Sequence, residues 1–287
     1  MFSFVGLSNY IFMISFPNAK INIGLNITEK RSDGFHSIQS AFYPIALTDA
    51  LELVENTASD APPITMSFSG IDIPGNAMDN LCVKAYHLIG KDYPLPNINV
   101  HLHKHIPIGA GLGGGSADAA FFIRLLNNTF ELGLAWGEMH HYARQLGSDC
   151  SFFITNKPAF VEGKGDDYET MQLSLKGYFI ALVYPNIHIN TAIAYGGVKP
   201  KTPARSLEND LQSTIEEWKL CVHNDFEDTL FVKFPELQNI KQQLYDNGAV
   251  YAAMSGSGST VYGIFKQKTD LKTVFKDYFV WEHELTH

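Results

Sequence analysis

Cysteine is scarce in this chain of 287 residues: Cys82, Cys150 and Cys221 are the only three. An odd, widely spaced set with no C-x-x-C offers neither a disulfide framework nor a zinc spacing, and it fits a reducing cytoplasm. Basic residues are also few. The 21 Lys and Arg stand against 30 Asp and Glu, a formal net charge of −9, which argues against a general nucleic-acid binder with its basic face. A phosphorylated ligand stays open, because a locally basic site can sit on an acidic protein. No apolar run reaches the roughly 18 residues of a membrane span. The first 14 residues are apolar, but they lack the basic start of a signal peptide. Charged residues make up only 18% of the chain, below the usual quarter or so, so long disordered tracts are not expected. Internal repeats and low-complexity segments are absent.

With 45% hydrophobic residues, the chain can bury a sizeable core and is long enough for two ordinary domains. Glycine is concentrated in one place. Pro107, Ile108, Gly109, Ala110, Gly111, Leu112, Gly113, Gly114, Gly115, Ser116 and Ala117 follow a strand-like segment and lead into a helix-like run over 117–126. Glycines let a ligand approach the backbone, and a helix start offers unpaired N–H groups and a positive dipole end. The combination predicts an anion site, most naturally for nucleotide phosphates, with Ser116 capping the helix and facing a phosphate.

Other glycine loops fit less well. A Walker A loop ends in Gly-Lys-Ser/Thr, and no lysine lies between Lys104 and Lys157. A protein kinase needs His-Arg-Asp and Asp-Phe-Gly, and neither occurs. Gly109, Gly111 and Gly114 satisfy G-x-G-x-x-G, with Glu131 at about the right distance. No strand separates the helix from Glu131, however, as a dinucleotide fold requires. A plain linker would not change abruptly into Ala-Asp-Ala-Ala-Phe-Phe-Ile.

Residues 19–27 alternate, with Ala19, Ile21, Ile23, Leu25 and Ile27 on one face and Lys20, Asn22, Gly24 and Asn26 on the other. Period two predicts a half-buried strand. Its polar face is either ordinary solvated surface or a phosphate-binding pair, Lys20 as a point charge and Asn22 as a two-way hydrogen bonder. Further strand is expected over 38–55, 97–106, 178–184, 249–254 and 260–265, and helix over 79–90, 207–220 and 235–247. His101, His103 and His105 share a strand face, a spacing open to zinc but more simply a solvated face. Asp149 opens a short helix, where an aspartate is ordinarily an N-cap.

The run from Pro107 to Ala120 resembles the phosphate loop of the GHMP small-molecule kinases. Pro17-Asn18-Ala19-Lys20-Ile21-Asn22 and Arg31-Ser32-Asp33-Gly34-Phe35-His36 resemble the opening of one subfamily, whose substrate joins cytidine diphosphate to methylerythritol. Leu146-Gly147-Ser148-Asp149, the segment from Ile187 to Tyr195, and Met254-Ser255-Gly256-Ser257-Gly258-Ser259 match later motifs of the same family. Resemblance begins near Ser15, so Met13 is a candidate natural start, with residues 1–12 an upstream extension.

The resemblance implies an α+β, two-domain GHMP kinase fold. Residues 1–157 would form a ribosomal-protein-S5-domain-2-like nucleotide domain, and residues 158–287 a ferredoxin-like domain completing the substrate pocket. It implies ATP, delivered with Mg2+, as phosphoryl donor to the 2-hydroxyl of the methylerythritol unit, in non-mevalonate isoprenoid precursor synthesis. Lys20 and Asp149 would be catalytic, and Asn80 would join residues 107–117 at the nucleotide. Asn22, Phe35, His36, Thr191 and Tyr195 would hold the substrate, with Phe35 and Tyr195 sandwiching the cytosine and His36 reading its edge. No metal ligand is assigned. Partners would be the small molecule alone, without nucleic acid or membrane, in a cytoplasmic monomer or homodimer. The alternatives are a GHMP kinase for homoserine or mevalonate, disfavoured by the turn Asp33-Gly34-Phe35-His36, and a non-catalytic member, which would be expected to lack Lys20 or Asp149.

Overall fold

The computed structural model describes residues 12–286. Apart from Phe12, the candidate upstream extension lies outside the described residues. After the short strand β1 (Phe12–Ser15), the predicted alternation forms the long strand β2 (Asn18–Lys30), which pairs antiparallel with β3 (His36–Thr48). Both faces of β2 are buried, not one. Lys20 and Asn22 are 3% and 2% exposed, because Phe42, Phe153, the glycine loop at Gly113 and the turn at 255–259 close over the polar side. The solvated-face reading of Lys20 and Asn22 is thereby removed.

The strand expected over 38–55 breaks at Asp49, where the chain leaves β3 and enters β4 (Ala50–Glu55) of another sheet. Asp49 donates its N–H to the Pro17 carbonyl at 2.9 Å, so it serves neither ladder. β5 (Ile64–Gly70), α1 (Leu81–Ile89) and β6 (Ile98–Lys104) follow. The first sheet runs β1-β4-β6-β5, with β5 and β6 parallel and its other pairs antiparallel. Helices α2 (Gly114–Thr129), α3 (Trp136–Leu146) and α4 (Cys150–Thr155) pack with it. Small residues on the buried side of α2, Ala117, Ala119 and Ala120, alternate with Phe122, Ile123 and Leu126 in this core. β7 (Ala159–Glu162) pairs with β3, and β8 (Asp167–Thr170) pairs with β7, giving a second sheet β2-β3-β7-β8. The strand pairing of the first half thus runs on to Thr170, across the expected division at 157/158.

β9 (Phe179–Tyr184) opens the third sheet, and α5 (Thr191–Gly197) follows it. The helix expected over 207–220 is two short pieces, α6 (Leu207–Asp210) and α7 (Trp218–Cys221). Between them the Glu217 carboxylate accepts from both the N–H and the hydroxyl of Thr214, a local side-chain turn that competes with helix. α8 (Glu227–Lys233), α9 (Pro235–Asp246), β10 (Tyr251–Met254), β11 (Val261–Phe265) and β12 (Phe279–Glu284) complete the chain. The sheet order β10-β11-β9-β12 is antiparallel throughout, the ferredoxin-like arrangement that was expected. Its second crossover, residues 266–278, contains no helix among the described residues and is anchored instead by buried Leu271 and Phe275. Apolar residues of β2 and β3, Ile21, Tyr43 and Ile45, share one core with Leu182, Tyr251 and Tyr262 of this sheet.

The histidine face is accounted for by hydrogen bonds. His101 contacts the hydroxyls of Ser67 and Ser69, and His103 that of Ser69, all across the β5–β6 pair. His105 lies beyond β6 and meets the Phe279 ring edge-on. Among the described residues no helix is long and apolar enough to cross a membrane.

Asn224 fastens the two halves. Its buried amide donates to the Met254 and Gly256 carbonyls at 2.8 and 3.0 Å and accepts from the Phe226 N–H, while the flanking backbone bonds Leu25 of β2. Asn224→Ala strands those groups in a dry interior. A loss of about 3 kcal/mol is expected, checked by urea denaturation.

Candidate active site

The glycine loop is fixed through its own backbone carbonyls. Lys20 N–H donates to the Leu112 carbonyl at 3.0 Å, and Thr260 N–H to the Ala110 carbonyl at 3.3 Å. The Ser255 hydroxyl accepts from Asn22 N–H and donates to the Gly111 carbonyl at 2.9 Å. Gly111 has φ +80°, and a Cβ there would fall 2.0 Å from the Ser255 carbonyl oxygen. At Gly258 a Cβ would lie 2.1 Å from the Gly111 nitrogen. Only glycine backbones pack this closely.

α2 starts at Gly114, earlier than the sequence suggests, with Gly113 as its N-cap in the left-handed region and no side-chain cap. Ser116 therefore does not cap the helix. It is the third helical residue and interacts with the Cys150 thiol at the start of α4. The first helical bond, Ala117 N–H to the Gly113 carbonyl, leaves the N–H groups of Gly114, Gly115 and Ser116 for an anion. A cavity of 320 Å³ opens here, lined by Asn80, Leu81, residues 107–116 and Asp118. Asn80, which lines this cavity, also caps α1, accepting from Cys82 N–H at 2.9 Å. A larger cavity, 510 Å³ between Phe16, Tyr43 and Trp281, contains none of the expected site residues.

Lys20 projects beside the end of this loop: a Cβ on Gly113 would lie 3.2 Å from Lys20 Cε. Its Nζ donates to Asn22 Oδ1 at 2.5 Å, stands 3.5 Å from Asp149 Oδ2 and lies 4.3 Å from the centre of the Phe42 ring. Burial lowers the Lys20 pKa, and Asp149 partly offsets that. Asp149 occupies the N-cap position of α4, but its carboxylate makes no cap hydrogen bond. It turns to Lys20 and keeps 28% of its side chain exposed, open to a ligand. Neighbouring Cys150 is buried, and burial pushes its thiol up to about 12, so it remains a neutral packing group.

On the substrate side, the His36 ring stacks on Tyr195, with centroids 4.8 Å apart and planes at 20°. Phe35 and Tyr195, expected to flank the cytosine, do not stack on each other; the ring against Tyr195 is that of His36. Phe35 is 59% exposed, with Lys164 Nζ 5.4 Å from its ring centre, because the turn points it outward after Asp33 accepts the Phe35 N–H. Burial, and then Lys30, lower the His36 pKa. The Tyr195 hydroxyl is pushed up to about 12 by burial and then by the Asp149 charge, which couples the stack electrically to the Lys20–Asp149 pair. Asn22 donates its amide to the Ser40 hydroxyl at 2.9 Å. Thr191 begins α5, exposed, behind the Asn190 cap.

Three further residues take part, of which Tyr168 and Phe42 lie in no sequence motif. The hydroxyl of half-buried Tyr168 shares its one proton between the carbonyls of Ser148 and Gly165, holding the residue before Asp149. Phe42 underlies Lys20 and meets Phe152 edge-on. The His188 ring rests on the loop, where a Cβ at Gly109 would come 2.7 Å from its Nδ1. Among the described residues, the metal-compatible trio His223, Asp225 and Asp228 lies away from the loop, and Lys201 already pairs with both of its carboxylates.

The family description "GHMP kinases N terminal domain" matches residues 80–163, and "GHMP kinases C terminal" matches residues 206–278. A 4-diphosphocytidyl-2-C-methyl-D-erythritol kinase of Bacteroides fragilis is 48% identical over 274 residues, covering 95% of this chain and 100% of that protein. The crystal structure of a 4-(cytidine 5'-diphospho)-2C-methyl-D-erythritol kinase superposes with a TM-score of 0.80 at 26% identity, over 96% of this chain and 100% of that one. Methanococcus jannaschii mevalonate kinase shares the fold, with a TM-score of 0.70 at 15% identity over 96% of this chain and 98% of its own.

Tyr168→Phe releases the Ser148 carbonyl and with it the placement of Asp149. Turnover is expected to fall about tenfold with the KM for nucleotide nearly unchanged, measured by steady-state kinetics; equal losses in both would contradict this placement.

Proposed function

The chain belongs to the 4-diphosphocytidyl-2-C-methyl-D-erythritol kinases, within the GHMP kinase family, and from that premise we propose how its cleft moves the γ-phosphoryl group of ATP to the 2-hydroxyl of the methylerythritol unit, in non-mevalonate isoprenoid precursor synthesis. It is a small-molecule kinase, and the observation that carries the residue assignments is the Lys20–Asp149 pair beside the glycine loop.

Phosphoryl transfer is governed by positioning and by stabilisation of charge. Residues 107–117 and the start of α2 cradle the phosphates with backbone N–H groups, and Asn80 borders the nucleoside end. ATP arrives as its magnesium complex. Magnesium demands few protein ligands when phosphates and water complete its shell, and the one carboxylate lining the loop cavity, Asp118, is already bound by Lys104. Asp149, exposed on one side and held by Lys20 on the other, accepts the hydrogen of the attacking hydroxyl. Lys20, fixed by Asn22 and Phe42, offsets the charge that develops on the transferred group. Phe35 offers a free ring face for stacking on cytosine, a contact worth about 1–3 kcal/mol, and the His36–Tyr195 stack supplies the adjacent wall. Asn22 and Thr191 lie toward the diphosphate and erythritol end. Cytoplasmic residence accords with three free cysteines, and the partner is the small molecule.

A coupled ADP-release assay with Mg-ATP, offering the cytidylyl substrate, mevalonate and homoserine separately, tests the reading. Turnover is expected with the cytidylyl substrate alone; turnover only with another alcohol would retain the loop and Asp149 but discard the roles of Phe35, His36 and Tyr195. Asp149→Ala is expected to lower turnover about a thousandfold while calorimetry still registers ATP binding. His36→Ala is expected to raise the KM for the cytidylyl substrate about tenfold. Because the His36 pKa lies below its ordinary value, its ring is neutral at neutral pH. That KM should therefore climb only as pH falls below the usual histidine range.

A further inference from the structure

A buried charged cluster packs against the glycine loop; of its members only Asp118 falls within a motif, and the transfer step uses none of them. Asp49, Lys104 and Asp118 are 1%, 3% and 3% exposed. Lys104 Nζ donates to Asp49 Oδ2 at 2.5 Å and to Asp118 Oδ2 at 2.8 Å. The other Asp49 oxygen accepts the N–H groups of His105 and Ile106 at 2.6 and 2.8 Å. These two residues immediately precede Pro107, whereas Asp118 lies in the first turns of the helix that follows the loop. The cluster therefore grips the chain on both sides of the phosphate-binding segment. Gly114 makes room for it, since a Cβ there would fall 2.9 Å from Lys104 Nζ.

Stability does not explain the arrangement. Burying two carboxylates with one ammonium is costly, and apolar side chains of similar volume commonly do as well or better. What the ions supply and apolar groups do not is direction: one acceptor aimed at two successive N–H groups, and one ammonium setting the distance from strand end to helix. The cluster also carries surplus negative charge. Burial, and then Asp49, push Asp118 up to about 7 against the pull of Lys104. Burial opposes the Lys104 charge, but the two carboxylates prevail and raise its pKa. Cys82 faces the cluster from α1 as a neutral thiol, its pKa raised by burial and then by Asp118.

We propose that Asp49, acting through Lys104 and Asp118, is the positioning residue of the phosphate loop and sets its grip on the nucleoside triphosphate. The proposal rests on the ATP site described above. Steady-state kinetics of the full chain with Asp49→Asn and Asp118→Asn, both isosteric and checked by thermal melting, test it. Asp49→Asn keeps one amide oxygen for the backbone but weakens the ammonium link. The KM for ATP is expected to rise about tenfold, with kcat and the KM for the cytidylyl substrate within about twofold. An unchanged KM for ATP, or both KM values rising together as in a general loosening, would overturn the proposal.

Asp118→Asn carries the test if Asp49→Asn does not fold. It cuts the link by which Lys104 holds the start of α2, the same span that Asp49 holds from the other side. The KM for ATP is expected to rise about fivefold, with the KM for the cytidylyl substrate within about twofold; an unchanged KM for ATP, or both KM values rising together, would overturn the proposal. Absence of any ATP turnover by the wild type would instead remove the functional reading, and this inference with it.

Discussion

Close backbone packing at the glycine loop is the constraint on which the remainder of the molecule depends. The carbonyls of Ala110, Gly111 and Leu112 are each taken by a different partner, Thr260, Ser255 and Lys20. Those partners come from opposite ends of the chain. For the contacts to form, β2 must be buried on both faces and the third sheet must lie against the second. The shared core of Ile21, Tyr43, Leu182 and Tyr262 provides that juxtaposition. The loop is thus the meeting point of two halves rather than an appendage of one.

The same constraint explains why ionisable groups are buried. Lys20 sits on β2 because its backbone N–H holds the loop, and its side chain then has one direction to go, between Phe42 and Asp149. Burial lowers its pKa, and the Asn22 and Asp149 oxygens supply the acceptors that an enclosed ammonium requires. Asp149 remains half open at the other end of the pair. A buried cation beside a partly exposed carboxylate is an asymmetric arrangement that leaves the carboxylate open to the ligand on one side.

Local pattern carried much of the architecture into the sequence. The alternation over 19–27, the glycine loop before an alanine-rich helix, and Gly248 ahead of β10 are each written within a few neighbouring residues. What escaped depends on residues distant in the chain. The break at Asp49 looks like continuous strand because the backbone that claims its carboxylate lies 56 residues later. The division of 207–220 into two pieces follows from Glu217 capping back onto Thr214. Ser116 looks like a cap, yet Gly113 in the left-handed region opens the helix earlier. At the site, Lys20, Asp149 and the loop were legible as motifs. Tyr168 and Phe42 were not, since one acts through a carbonyl and the other through a ring face, and neither function demands a recognisable spacing. The stacking of His36 on Tyr195 was not legible, because a motif read along the chain does not tell which of two adjacent residues a turn sends outward.

The contact of Gly258 with Gly111 has a consequence for descent as well as for shape. It joins the halves of the molecule where neither contributes a side chain, so no substitution on one side can be compensated by a substitution on the other. Surrounding residues are free to diverge in pairs, core volume traded against core volume, while this point tolerates nothing but two glycines. The two halves can therefore drift far apart in sequence, yet they must be inherited together.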